Sequence, residues 1–210
     1  MSATASGSGP SFWSLVRDGM SVQVQQSINE GFDISKMVGY NDDLRSDRSV
    51  MTSMTALHIA AACGRPNVVA VLLDNGASLS TRDGHGCTPM HCAVRNEEVE
   101  CAELLLRAGS HTTTENRSHE TPLDTAVFNG NVDMVRMLLE YKANACMPNS
   151  QGRFPKFYAS SLEIYEILQE EEDKAAKKTA FAMSHHKRLG GESVVCEVSP
   201  DVLREILKLV

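Results

Sequence analysis

The pattern of hydrophobic and polar positions repeats along the middle of the chain with a fixed period. A string that begins at Thr55 returns in similar form at Thr88 and again at Thr121, and the two intervals are equal. A second, more apolar string keeps the same interval and begins at Val71, Leu104 and Met137. Two linked strings that hold one period through three copies predict stacked repeats, in which neighbouring units bury a shared core.

Each unit predicts two short helices joined by a turn. Pro89 and Pro122 suit the first turn of a helix, where the missing N–H is no loss, and the threonine before each proline can cap that turn. Alanine recurs one turn later, as expected where neighbouring helices approach closely, at Ala60, Ala93 and Ala126. Glycine follows most of these helices, whereas Glu97 and Lys142 take that place in two units and predict weaker helix ends.

The two strings resemble the ankyrin repeat, a 33-residue unit with a T-P-L-H-x-A signature. The resemblance covers about three quarters of the chain and implies an all-α solenoid of stacked helix-turn-helix units. We expect about five repeats: a degenerate first unit from Phe12, three good copies, and a shortened last unit from Pro155. Terminal units are expected to depart from the pattern because one face of each meets water.

The chain divides into three predicted regions. Residues 1–11 are small and polar, without a basic start or an apolar run, and predict a disordered leader rather than a secretory signal. The repeat domain is predicted over 12–168, with an enlarged loop at 35–50 between the first two units. A charged helical extension and a C-terminal amphipathic helix are predicted over 169–210.

The predicted C-terminal helix carries one apolar stripe, formed by Leu203, Ile206, Leu207 and Val210. Such a stripe is expected to be buried, and two destinations stay open. The helix could pack on the open end of the repeat stack, or it could dock in the groove of a partner.

Composition and charge narrow the class of partner. A hydrophobic share of 42% and a charged share of 22% are typical of soluble globular proteins. The net charge of -7 argues against nucleic acid and modestly favours a basic partner. No stretch approaches the roughly 18 apolar residues of a membrane span.

Six cysteines without a CxxC pair indicate reduced thiols in a cytoplasmic, or also nuclear, protein.

Candidate chemistry is sparse. A metal site could be suspected at His85, Cys87, His91 and Cys92, but the repeat register makes His91 the signature histidine and places Cys92 where an apolar residue packs. Phosphate loops, HExxH and GxSxG are all missing from the sequence. Asp124 replaces the third signature histidine and is expected to form a local hydrogen bond. We therefore expect neither an enzyme nor a cofactor or metal.

The ankyrin resemblance implies that a partner lies in the concave groove, formed by the tips of the loops between units and the exposed side of the first helices. The residues that fall there are Met54, His85, Cys87, Arg95, Asn96, Arg117, Glu120, Phe128, Asn129 and Arg153. Phe128 and Arg95 are the strongest candidates, because aromatic and arginine side chains dominate binding energy at interfaces.

The resulting hypothesis is a monomeric adaptor or regulatory subunit that binds another protein. An inhibitor that masks its partner's functional surface is one alternative. A substrate-recognition subunit of a ubiquitin ligase is another, although residues 199–210 hold no recognisable adaptor-binding box.

Overall fold

A computed structural model describes residues 10–38 and 53–188 of the chain. The predicted C-terminal helix, most of the predicted leader and most of the predicted enlarged loop lie outside these residues. In the described ranges the elements are α1 Phe12–Asp18, α2 Ser21–Asn29, α3 Ala56–Ala62, α4 Pro66–Asp74, α5 Pro89–Arg95, α6 Val99–Arg107, α7 Pro122–Asn129, α8 Val132–Glu140, a 3-10 turn Pro155–Tyr158, and α9 Leu162–Arg188.

The period of the sequence is also the period of the helices. The first helices α3, α5 and α7 begin at equal intervals along the chain, and the second helices α4, α6 and α8 begin at the same intervals. Within the described residues the only β pairing is an isolated bridge between Val38 and Met54. The predicted all-α solenoid of paired helices is confirmed.

One continuous core runs through the stack. The first helices supply small residues where they approach each other, and the second helices supply leucines that fill the space between the layers. Fully buried members of the two sets are Ala60, Ala93, Ala126, Leu72, Leu105 and Leu138. Burying a leucine side chain stabilises the fold by about 1.5–3 kcal/mol, so each added unit strengthens its neighbours.

The two terminal units differ from the middle ones. In the first unit the rings of Phe12 and Phe32 stack at 3.8 Å, and Trp13 packs edge-on against both. In the last unit a 3-10 turn replaces the first helix, and α9 begins three residues earlier than the period would place it. The last unit is therefore shortened, as its sequence predicted. No helix in the described ranges has the length and apolar character needed to cross a membrane.

Two helix-ending positions hold a side chain in the left-handed region. Glu97 has φ of 61° and Lys142 has φ of 64°. At the equivalent positions one unit earlier, Gly64 and Gly109 also have positive φ, which glycine adopts without strain. A left-handed conformation costs a non-glycine residue about 1–2 kcal/mol. The weaker ends predicted at Glu97 and Lys142 are thus present as backbone strain.

We expect Glu97→Gly to raise the free energy of unfolding by about 0.5–1 kcal/mol, because relief of strain exceeds the extra entropy of the unfolded chain. Urea denaturation followed by circular dichroism measures this. The matched control, Glu166→Gly, changes an exposed residue inside α9 and should destabilise by about 1 kcal/mol. Loss of stability in both variants would contradict the expectation.

Candidate functional site

Each of the three loops 77–88, 110–121 and 143–154 is closed by a buried polar side chain. Asp83 Oδ1 accepts hydrogen bonds from the backbone N–H groups of His85 and Cys87, both at 2.8 Å. Asn116 and Asn149, at the equivalent positions of the next two loops, accept backbone N–H groups in the same way. All three side chains are buried, so the loop tips are held in one shape from inside.

Sequence patterns did not reveal these three residues. The sequence does contain a pattern that points to them. An Asp or Asn lies at a constant distance before the cap residue of the next helix or turn, which is Thr88, Thr121 or Phe154. Polar loop residues are usually exposed, however, and the period alone does not show that this one turns inward.

Histidine side chains tie the first two of these loops to the units before them. His58 Nδ1 accepts from the backbone N–H of Thr55 at 3.2 Å, and its Nε2 lies 3.0 Å from the carbonyl oxygen of Cys87. His91 repeats both contacts, with Thr88 at 3.2 Å and with the Glu120 carbonyl at 3.2 Å. Because Nδ1 is an acceptor in each ring, Nε2 carries the proton and donates it to the next loop. The signature histidine His91 therefore joins its own helix start to the next loop.

Burial keeps the histidine and cysteine side chains around the start of α5 uncharged. Loss of solvent lowers the pKa of His58, and it lowers the pKa of His91 to about 4. Burial also raises the pKa of the Cys87 and Cys92 thiols. Both nitrogens of His91 are engaged and the thiols stay protonated, so this cluster is ill-suited to metal. Across the described ranges, no group of three or more His, Cys, Asp or Glu could hold a metal ion.

The third unit has no histidine tie, because Asp124 takes the place that His58 and His91 hold in the earlier units. Asp124 Oδ2 accepts from the backbone N–H and the hydroxyl of Thr121, both at 2.9 Å, as a local hydrogen-bonding residue should. Its Oδ1 is buried and has no hydrogen-bond partner among the described residues. Burial raises the pKa of Asp124. An ionised carboxylate has no proton to donate, so the loop that ends at Arg153 lacks the tie that the earlier loops have.

We expect Asp124→His to raise the free energy of unfolding by about 1–2 kcal/mol, because it supplies a donor for the Arg153 carbonyl and removes a buried charge. The control Asp124→Asn removes the charge without a donor that reaches the next loop. The gain from this control should be larger at pH 7 than at pH 4, since the raised pKa makes ionised Asp124 unfavourable in the folded state. Urea titrations at both pH values test this, and a less stable histidine variant would contradict it.

Several predicted contact residues lie together on the loop side of the stack. The backbone N–H of Arg117 donates to the carbonyl of His85 at 3.0 Å, which places two neighbouring loop tips side by side. The amide of Asn129 donates to the carbonyl of Arg95 at 3.2 Å, which joins the ends of α5 and α7. Phe128, next to Asn129, is 71% exposed.

The other predicted contact residues are placed as follows. Asn96 is exposed, and its amide donates to the carbonyl of Cys92 at 2.8 Å. Arg153 is exposed at the end of the third loop. Glu120 is half-buried, with its carboxylate accepting from the Asn116 amide at 3.0 Å. Half-buried Met54 pairs with Val38 in the isolated bridge just before α3.

Cys87 must be removed from the set of contact residues. Its side chain is fully buried, because the bond from its N–H to Asp83 turns it into the core. The guanidinium of Arg95 lies over it, 3.1 Å from Sγ. Position within the loop suggested exposure, but the direction of the side chain depends on the inward-facing Asp83.

Arg82 was missed although it is exposed in the first of these loops. Its Nη1 donates to the carbonyl of Glu115 in the second loop at 2.7 Å. Glu115 in turn accepts from the N–H and hydroxyl of Ser150 in the third loop. The three loops are therefore connected in series as well as closed individually.

Comparison with known proteins agrees with this geometry. Residues 16–116 match the family model described as ankyrin repeats (3 copies), and residues 118–151 match the single ankyrin repeat. A Rickettsia bellii (strain RML369-C) protein named for ankyrin repeats is 52% identical over 40 residues. That match covers 19% of this chain and only 17% of the relative's length. Ankyrin repeats generally mediate protein–protein interaction and are typically non-enzymatic. With more than half of its length matched, this chain belongs to the ankyrin-repeat family.

Proposed function

We propose that this chain acts as an adaptor or regulatory subunit that binds another protein through its finger face. We define the finger face as loops 77–88, 110–121 and 143–154 together with helices α5 and α7. The main support for this proposal is the exposure of Phe128. Residues 122–127 of its helix are all buried, yet Phe128 itself is 71% exposed. An aromatic ring in that position adds little to folding and much to an interface.

The rigidity of the finger face supports this proposal. Its loop tips are closed by buried side chains, and the first two are also tied to the units before them by His58 and His91. A surface that is already ordered loses little conformational entropy on binding, so more of the contact energy appears as affinity. Arg95 stands at the position in α5 that Phe128 holds in α7, one repeat earlier, so the two strongest candidates are neighbours on adjacent units.

We expect Phe128→Ala combined with Arg95→Ala to weaken binding of the natural partner by about 10-fold or more, with unchanged helical content and melting temperature. Affinity capture with the full chain identifies the partner, and isothermal titration calorimetry then measures each variant. The matched control is Tyr165→Ala combined with Arg136→Ala, which removes an exposed aromatic and an exposed arginine from α9 and α8. Unchanged affinity in the first pair would refute the placement of the site.

The same partner distinguishes an adaptor from an inhibitor. An adaptor leaves its bound partner active, whereas an inhibitor that masks a functional surface abolishes the partner's activity in proportion to occupancy. Measuring that activity against the saturation of the complex separates these two forms of the proposal.

A further inference from the structure

Charge is distributed unevenly over the surface of this protein. On the finger face every exposed ionisable side chain is an arginine or a histidine: Arg82, His85, Arg95, His111, Arg117, His119 and Arg153. Four of these seven side chains are arginines, which are always charged in proteins.

The carboxylates of the finger face are turned inward or held in internal bonds. Asp83 and Asp124 are buried. Glu115 and Glu120 are half-buried, and they accept hydrogen bonds from Ser150 and Asn116 respectively. Within the part of the chain that the structure describes, none of the four arginines forms an ion pair with a carboxylate. Their charges are therefore available to a ligand.

The exposed charges of the second helices are mostly negative. Exposed ionisable residues of α4, α6 and α8 are Asp74, Glu100, Arg107, Asp133, Arg136 and Glu140. Both arginines of that set are paired with glutamates, Arg107 with Glu103 at 2.6 Å and Arg136 with Glu163 at 3.4 Å. Among exposed side chains the finger face is therefore basic, whereas the second helices carry four exposed carboxylates and two arginines that are already paired.

We infer that the finger face binds an acidic, extended segment of a protein partner. Its carboxylates meet the four arginines, and one apolar side chain packs on Phe128. This inference rests on the proposed function and replaces the expectation of a basic partner, which followed from net charge alone. An arginine guanidinium pairs with a carboxylate through two parallel hydrogen bonds, which fix the orientation of the carboxylate as well as attracting it.

The same arginines favour a protein segment over a nucleic acid. Nucleic acids are held through many simultaneous phosphate contacts, and the exposed part of the finger face has four arginines with no lysine. The exposed Phe128 of α7 suits an apolar side chain of a peptide. A nucleic acid is accordingly an outcome that the experiment has to exclude.

Fluorescence anisotropy of the full chain with two short labelled peptides tests the inference. One carries eight glutamates around a central leucine, and the other has lysine in place of each glutamate. We expect the glutamate peptide to bind about 10-fold or more tightly than the lysine peptide at low salt, and to weaken as salt is raised. Arg117→Gln and Arg153→Gln should each weaken it by about 2–5-fold, whereas Arg136→Gln, the same change on α8, should leave it unchanged.

Four results would overturn the inference. They are no binding of the glutamate peptide, equal or tighter binding of the lysine peptide, equal losses in Arg136→Gln and Arg117→Gln, and tighter binding of an oligothymidylate of the same length. Failure here is distinguishable from failure of the proposed function. A natural partner that needs Phe128 and Arg95 but contacts them with a basic segment refutes only the charge inference.

Discussion

Acidification from pH 7 to pH 4.5 is expected to lower the free energy of unfolding by about 2–3 kcal/mol through His91 alone. The pKa of this histidine is about 4 in the folded protein and about 6.5 in an unfolded chain. Unfolding therefore takes up a proton across this interval. The stability that the neutral ring contributes is complete above pH 6.5 and is lost as the pH falls towards 4. The lowered pKa of His58 acts in the same direction.

Urea titrations at several pH values measure this loss, and two variants assign it. His91→Asn removes the titrating ring, so its free energy of unfolding should change less between pH 6.5 and pH 4.5 than that of the parent, although it starts lower. His111→Asn makes the same change at an exposed histidine on the same side of the stack and is the matched control. A His91→Asn protein with the parent's full slope would show that other groups cause the acid response.

Ala93→Leu is expected to destabilise the protein by about 1–3 kcal/mol. Ala93 is fully buried in α5, which packs against both α3 and α7. The extra carbon atoms can be accommodated only by moving helices apart, which weakens contacts on both sides. Thermal and urea denaturation measure the effect.

The matched control is Ala108→Leu, the same substitution at an exposed position at the end of α6. It should change stability by no more than about 0.5 kcal/mol. Equal stability of Ala93→Leu and the parent protein would mean that the first helices are not in close contact at this position, contrary to the repeat register.

The sequence was sufficient to predict the fold because the period is visible in residue types. Threonine, proline and alanine recur where the backbone requires a cap, a first turn and a close approach, and α5 and α7 begin at the prolines. Glu97 and Lys142 were identified in the same way, as side chains at positions that favour glycine.

The site was less predictable, because it depends on which way a side chain turns. Cys87 and Arg82 stand in the same loop, and the sequence alone suggested exposure for the one that is buried. Net charge describes the whole chain and not the charge of one face. A count of charges treats Asp83 and Arg117 alike, but the first is buried as a loop-closing acceptor and the second is exposed.

The missing histidine tie at Asp124 also predicts where unfolding of the repeat stack begins. A stack of units joined only to their neighbours unfolds piecewise, beginning where the coupling between adjacent units is smallest. With two histidine ties before it and none at its own position, Asp124 marks that boundary. Fraying should therefore start on the carboxyl-terminal side, and amide hydrogens of 143–154 should exchange before those of 77–88. The loop that holds Arg153 is closed from inside by Asn149 but lacks the histidine tie, so it should move as a unit relative to its neighbours more readily than the first two loops.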